Sequence, residues 1–354
     1  MSAIRAQSMV FHSPATPLVR RDESIGPLDD GQALVEVLCC TLCGSDLHTQ
    51  SGRRPAHGPT VLGHEIVGRV VESRARDIVA GERVTWSVCV SCGTCIPCRT
   101  GIPQKCRRLF KYGHQSIDEA PLAGGLATHC LLRKGSFAVG VPDGVPDAVA
   151  SMANCAGATA AAALRRAGDL ADRRVVVFGA GVLGLCAIAM AAATGATVIA
   201  VDTDPRRRAL AVDFGAADAT PPETIADHQS LAANDERPAG ADVVLELSGA
   251  RDAVLASIDI AACGAAVILV GAVSPIEPIS FDPESVVRRL LRIEGVHNYA
   301  PGDLVAAVEF FASGDNGERF RSLVEKTFPL SQAQEAFDFA HRHRPLRVAV
   351  TMPS

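Results

Sequence analysis

The 354-residue chain is poor in aromatic side chains, with one Trp, two Tyr and twelve Phe. That leaves too few rings for a single-strand stacking platform. It also lacks any excess of positive charge: 34 Lys and Arg stand against 39 Asp and Glu, a net charge of −5. A broad nucleic-acid footprint, which depends on neutralising phosphates, is thereby excluded. The opening residues MSAIRAQSMVFHSP contain no apolar run of the signal-peptide kind, so export is not expected and a cytoplasmic location is. One uncharged stretch, residues 175–201, is long enough to cross a bilayer. Gly179, Gly181, Gly184 and Gly195 interrupt it, and β-branched clusters sit at both ends, so it reads as a soluble strand–turn–helix–strand with no membrane partner. Internal repeats and low-complexity tails are absent.

What is present is a globular composition, 48% hydrophobic and 21% charged, with length for about two domains. Twelve cysteines in a chain without secretory context imply thiols kept reduced or held on metal, not a disulfide framework. Up to about residue 150 the sequence is Gly- and Pro-rich, with short β-type runs at 33–38, 66–71, 83–88 and 129–132, an irregular all-β region. Residues 148–167 are Ala-rich and form a helix that bridges two domains. Apolar strands then alternate with helices: strands at 175–178, 197–201, 242–247 and 266–270, helices at 182–194, 205–214 and 250–261. Buried strands alternating with helices predict a parallel sheet covered on both faces. Residues 221–240, polar and with three prolines, are expected to be a surface helix plus loop. Amphipathic helices at 303–313 and 331–341 precede a last strand at 347–352.

Gly179-Ala180-Gly181-Val182-Leu183-Gly184 follows the strand at 175–178 directly and opens a helix. In that context G-x-G-x-x-G is a dinucleotide fingerprint: the first Gly makes the turn, the second admits the pyrophosphate, the third lets helix pack on strand. The helix N-terminus offers free N–H groups to the phosphates. Asp202 ends the second strand, where a carboxylate accepts from ribose hydroxyls and disfavours a 2′-phosphate, so NAD is expected over NADP. Arg206 and Arg207, close behind, soften that preference.

Cys92, Cys95, Cys98 and Cys106 form C-x2-C-x2-C-x7-C, a four-thiolate set suited to a closed, structural zinc site. Iron–sulfur ligation uses similar spacings, but nothing else in the chain suggests electron transfer. A dispersed second group comprises Cys43, His64 beside Glu65, and Cys155. Singly these are ordinary core residues; together they supply two thiolates and an imidazole, the set of a catalytic zinc with an open fourth position.

These residues carry a family resemblance. Cys43-Gly-Ser-Asp-x-His48, Gly63-His64-Glu65-x-x-Gly68, Gly81-Glu-Arg-Val84, the four-cysteine lobe, Cys155 before Thr159, the glycine fingerprint and Asp202 together resemble a zinc-dependent medium-chain alcohol dehydrogenase over nearly the whole length. The resemblance implies an α/β protein, with a GroES-like irregular β catalytic domain at 1–151 and 297–354 and a Rossmann doubly wound parallel-sheet cofactor domain at 152–296. It implies that Cys43, His64 and Cys155 bind a catalytic zinc, that Glu65 is an acid able to ligate transiently, and that the four cysteines of the lobe bind a structural zinc. It assigns Ser45 and His48 to a proton relay and Arg347 to the cofactor pyrophosphate, beside Asp202 and Arg207. It implies hydride transfer between a small alcohol and NAD, in a homodimer or homotetramer assembled through the cofactor-domain sheet, with residues 266–273 as the edge. Cys155, where some polyol and threonine dehydrogenases of the family use an acid, tilts the chain towards the alcohol dehydrogenase type. Arg74 departs from the family, at a turn position usually held by Gly.

For the substrate, Arg53, Arg54, Lys111 and His114 are basic residues placed near the expected pocket, which suits a small anionic alcohol. The wording around Cys40–His48, Ser51–Arg54, Lys111–His114 and Ala153–Cys155 resembles the phosphonate-catabolism-associated branch of the family, which implies a hydroxylated amino- or ammonio-alkylphosphonate. A polyol or amino-alcohol dehydrogenase with a neutral pocket, and a non-enzymatic NAD-sensing zinc protein, are the alternatives.

Overall fold

In the computed structural model, residues 4–56, 58–233, 238–273 and 276–353 are described. The chain divides into two compact units, Met1–Ala158 with Ala300–Ser354, and Thr159–Tyr299. The boundary falls within the Ala-rich helical stretch, which runs as α-helix over Asp147–Met152, a π turn over Ala153–Gly157, and α-helix again over Ala158–Ala167.

The first unit is built on a seven-stranded sheet whose central member is Ala33–Thr41. That strand is flanked on one side by Glu65–Ser73, and on the other by His129–Leu132 and then Arg347–Thr351. It is buried on both faces: Val35 and Val37 enter one apolar cluster, with Trp86 and Tyr112, and Cys40 enters another, with Leu126 and Phe337. Burial of both faces explains why its sequence, ALVEVLCCT, does not alternate cleanly. The register matters for the site. Thr41 lies opposite Glu65 on one neighbour and opposite Ala349 on the other. The end of one strand and the starts of two others therefore meet, and Cys43, His64, Glu65 and Arg347 are all within two residues of that meeting point.

The second unit is a six-stranded parallel sheet in the order Asp218–Thr220, Thr197–Val201, Arg174–Phe178, Ala241–Glu246, Ala261–Leu269, Arg292–Gly295. Numbered along the chain this is 3-2-1-4-5-6, the dinucleotide-binding order with its switch point beside the first strand. Strand Arg174–Phe178 is buried throughout, and the helix Val182–Ala193 that follows is almost wholly buried, which is why its sequence shows no polar face. No described helix is long and apolar enough to cross a membrane.

Three expectations need correction. Ala261–Leu269 is interior to the sheet; the free edge on that side is Arg292–Gly295, a strand too short and charged to signal itself. Within 221–240 the described residues form two 3-10 turns, Pro222–Asp227 and Gln229–Leu231, and no α-helix; residues 234–237 lie outside the description. Arg74 needs no glycine geometry: its φ is not positive, and its guanidinium donates to the Leu28 carbonyl at 2.6 Å. The strands Ile4–Phe11, Val19–Ile25 and Val324–Pro329 have no counterpart in the sequence reading.

Candidate metal centres and dinucleotide site

Three segments bring the dispersed group together. Cys43 caps the helix Gly44–Gln50, His64 ends the loop entering strand Glu65–Ser73, and Cys155 sits on the π turn. Cys43 Sγ and Cys155 Sγ are 4.0 Å apart, and Cys155 Sγ lies 3.4 Å from His64 Nε2. Tetrahedral zinc, with bonds of about 2.3 Å to sulfur and about 2.0 Å to nitrogen, spaces its ligands about 3.5–3.8 Å apart. The donor set fits that ion in chemistry and in spacing. One buried carboxylate organises it: Asp46 accepts from His64 Nδ1 at 3.0 Å and from the backbone N–H groups of Gly63 and Cys43 at 3.2 and 3.0 Å. With Nδ1–H so engaged, Nε2 presents its lone pair to a metal. The contact with Cys155 Sγ, with His64 and Arg347, draws the Cys43 thiol well below its ordinary value against burial. Cys155 is held correspondingly high by the same contact. A divalent cation, which binds sulfur as thiolate, can hold both sulfurs of this pair.

Glu65, fully buried, lies beside this cluster. Burial pushes its carboxyl up, to about 7, against the pull of Arg347. Arg347 meets it with two bonds, Nε to Oε2 at 3.0 Å and Nη2 to Oε1 at 2.8 Å, and Thr41 adds a third at 2.6 Å. The expectation of Arg347 as a pyrophosphate ligand thus meets a guanidinium already committed to a carboxylate within its own unit.

Ser45 and His48 lie three apart on the helix Gly44–Gln50, hence on one face. Ser45 Oγ is 3.3 Å from His64 Nε2, against the cluster. His48 is half-buried, and burial followed by the charge of Arg53 lowers its pKa, favouring the neutral, proton-accepting imidazole. Lys111 and His114 close a turn, with His114 N donating to Lys111 O at 3.3 Å. Gly113 in that turn has φ +76°, and a Cβ there would meet the Gly63 carbonyl at 2.8 Å and His64 Cβ at 2.9 Å. Glycine is thus required for conformation and for close approach, and the turn is pressed onto the His64 segment. The His114 ring lies 5.2 Å from that of His64. Arg54 is near enough to help lower the pKa values of His48, Lys111 and His114, in each case after burial. Cations therefore gather beside the cluster.

The second cysteine group is a separate lobe. The ligand atoms of Cys92, Cys95, Cys98 and Cys106 lie within 4.8 Å of one another. Cys95 Sγ is 3.4 Å from Cys98 Sγ and 3.8 Å from Cys106 Sγ. Cys106 Sγ also accepts from the backbone N–H groups of Cys92 and Arg108. The Thr94 hydroxyl, backbone N–H groups and Arg108 bring the Cys92 thiol down to about 4. Four sulfurs at tetrahedral spacing leave no open position, which suits a structural zinc. All twelve cysteines are free of disulfides.

In the second unit the three fingerprint glycines have three different reasons. Gly179 has φ +93°, which side chains avoid, and a Cβ on Gly184 would lie 1.8 Å from the Gly179 carbonyl oxygen. Gly181 has an ordinary φ of −71°, and a Cβ there would meet no atom within 4 Å. Neither backbone nor packing demands glycine at 181; an open cradle at a helix N-terminus does, if a phosphate is to reach the backbone N–H groups. Val182 and Leu183 begin that helix. Asp202 is buried at the next strand end, where its carboxylate accepts from Ala180 N at 2.8 Å and Asp204 N at 2.9 Å. Arg207 is half-buried on the helix Pro205–Asp213.

Sequence reading missed two residues here. Asp46 is signalled only by an acid three places after a candidate ligand, and Asn154, which donates to the carbonyls of His64 and Trp86, only by its place beside Cys155.

Comparison with known proteins identifies the family. Residues 29–143 match the alcohol dehydrogenase GroES-like domain, and residues 182–313 match the zinc-binding dehydrogenase model. A protein named as a D-xylulose reductase from Rhizobium meliloti is 32% identical over 357 residues, covering 95% of this chain and 94% of that protein. Among solved structures, an alcohol dehydrogenase from Thermotoga maritima superposes with a TM-score of 0.89 at 28% identity, covering 99% of this chain and 100% of that one. A protein described as a zinc-binding dehydrogenase from Sinorhizobium meliloti, bound to NADP, gives 0.84 at 25% identity, covering 98% and 99%. The chain belongs to the zinc-binding, medium-chain alcohol dehydrogenase family of oxidoreductases.

Proposed function

We propose that the protein oxidises a small polar alcohol, or reduces the corresponding carbonyl compound, with zinc at Cys43, His64 and Cys155 and with NAD as the preferred cofactor. The observation that carries this reading is the Cys43–His64–Cys155 cluster, its spacing matched to tetrahedral zinc and its imidazole fixed by Asp46. When bound, zinc supplies Lewis-acid polarisation of the substrate oxygen, and the nicotinamide supplies the hydride acceptor. The chain's own residues do the rest. Ser45 stands against the cluster, takes the substrate proton and passes it towards His48, whose lowered pKa suits it as acceptor. Gly181, Val182, Leu183 and Gly184 offer the backbone N–H groups of the helix N-terminus to the pyrophosphate, while Gly179, whose own N–H donates to the Val201 carbonyl at 2.8 Å, makes the turn. Asp202 accepts from the ribose, with Arg207 on the helix that follows. Arg347 orients Glu65 and also donates from Nη1 to the Leu346 carbonyl at 3.0 Å, which leaves two of its five N–H groups for a phosphate. Cys92, Cys95, Cys98 and Cys106 hold the structural zinc.

The gathering of the Arg53, Arg54 and Lys111 cations, with the neutral His114 imidazole beside them, supports an anionic group on the alcohol, with a hydroxylated alkylphosphonate as the candidate that the sequence resemblance suggests. A polyol substrate is the second reading, favoured by the likeness to the protein named as a D-xylulose reductase. The free edge strand Arg292–Gly295 supports assembly into a homodimer or homotetramer. A screen of hydroxyphosphonates, polyols and simple alcohols with NAD and with NADP, followed at the reduced-nicotinamide absorbance, tests substrate class and cofactor together. No turnover on any of them by protein carrying both zincs would remove the reading; turnover of polyols alone would select the second.

A further inference from the structure

Asn154 immediately precedes Cys155 and is fully buried. The backbone here widens into a π turn over Ala153–Gly157 between two α-helical stretches. Such turns are rare and are frequent at functional sites. Asn154 Nδ2 donates to the His64 carbonyl at 3.0 Å and to the Trp86 carbonyl at 2.8 Å. Both acceptors are carbonyl oxygens, so the nitrogen end of the amide must face them. One of the two belongs to His64 itself, and the other to the strand Arg83–Trp86, which pairs with the strand Glu65–Ser73 that begins directly after His64. Asn154 and Cys155 are consecutive on this turn, so anchoring Asn154 on the His64 and Trp86 carbonyls fixes the direction in which Cys155 projects.

We propose that Asn154 is a positioning residue for the catalytic metal: its amide locks the π turn onto the His64 and Trp86 carbonyls and so sets the separation of Cys155 Sγ and His64 Nε2. The proposal rests on the zinc reading above. A carboxamide is what the place requires, because it presents two N–H donors from one atom at the reach of a short side chain. Asp has the same shape but would set a carboxylate oxygen against two carbonyl oxygens. Ala leaves both carbonyls without their donor.

The test uses the zinc-loaded protein and the variants N154A and N154D. It measures metal content per chain, the rate of metal loss to a chelator, the visible spectrum after cobalt exchange, and Tm. The expected result is two metals per chain in the parent, and in both variants a metal outside the four-cysteine lobe that is lost at least tenfold faster, with shifted cobalt–thiolate bands. Variants with a lowered Tm but the parent's cobalt spectrum and chelator rate would make Asn154 a scaffold residue and overturn the proposal. Failure of both variants to fold would overturn it in the same way. A parent protein that binds metal only in the four-cysteine lobe would instead defeat the underlying zinc reading, whatever the variants do.

Discussion

Arg347 and Glu65 form a buried, two-point ion pair, with Nε–Oε2 and Nη2–Oε1 separations of 3.0 and 2.8 Å, although 282 residues separate them in the chain. The pair joins the last strand of the first unit to the strand that begins beside His64. Its removal from one side strands the other charge. R347A should therefore destabilise the zinc-loaded protein by about 3–5 kcal/mol, the usual cost of an uncompensated buried charge. Double substitution to R347M and E65M should cost less than R347A alone. Denaturant unfolding of the three proteins measures this, and a double variant less stable than R347A would contradict it.

Asp46 acts on the metal through His64. D46N keeps the shape but loses one acceptor among three donors, so affinity at the Cys43–His64–Cys155 site should fall by about 10–100-fold. The hydrogen bonds of Asp46 among the described residues go to Cys43, Gly63 and His64 and not to the four-cysteine lobe, which should retain its metal. Dialysis against graded chelator, with zinc counted per chain, separates the two sites; loss of both zincs in parallel would mean that Asp46 supports the fold and not the site.

The position of His48 predicts a pH effect. Burial and then the charge of Arg53 lower its pKa. Removing that cation in R53A should let the His48 pKa rise, so the imidazole stays protonated to higher pH and the acid limb of kcat/KM for alcohol oxidation moves upward. A shift in the opposite direction, or none, in pH profiles of parent and R53A would exclude His48 as the acceptor.

Gly181 and Gly184 make a contrasting pair. A Cβ at 181 meets nothing within 4 Å, whereas one at 184 lies 1.8 Å from the Gly179 carbonyl oxygen. G181A should keep the parent Tm and lose at least about tenfold in NADH affinity, because the methyl occupies the phosphate's place. G184A should lower Tm. Thermal melts and NADH fluorescence titration distinguish them, and a G181A protein with unchanged NADH affinity would move the pyrophosphate elsewhere.

Substrate charge is read from the cations near the cluster. R54A or K111A should raise KM for a hydroxyphosphonate by an order of magnitude or more, the loss of one charge-assisted contact, with little change for an uncharged alcohol of the same size. Equal effects on the two substrates would end the argument for an anionic group.

Much of this was legible in the linear sequence. The strand at Arg174–Phe178, the glycine turn and the following helix carry their signal locally, in an apolar run, three glycines and a breaker-free stretch. The four-cysteine lobe is equally local, since Cys92 to Cys106 fold back within fifteen residues. Residues 43, 64 and 155 were candidates by type and by family likeness, but their convergence is a property of register. Thr41 pairs with Glu65 across one strand boundary and with Ala349 across another, and no local pattern announces either pairing. The same holds for Asp46, Asn154 and the Arg347–Glu65 pair: each side chain is ordinary in sequence and takes its role from a partner that the sheet delivers. Sequence alone determined which chemistries this protein can hold, because ligand type, glycine placement and local periodicity are short-range. Only the tertiary structure decided which groups meet, because burial of the strand Ala33–Thr41 on both faces forces distant segments to one end of the sheet and makes each buried charge find its partner there.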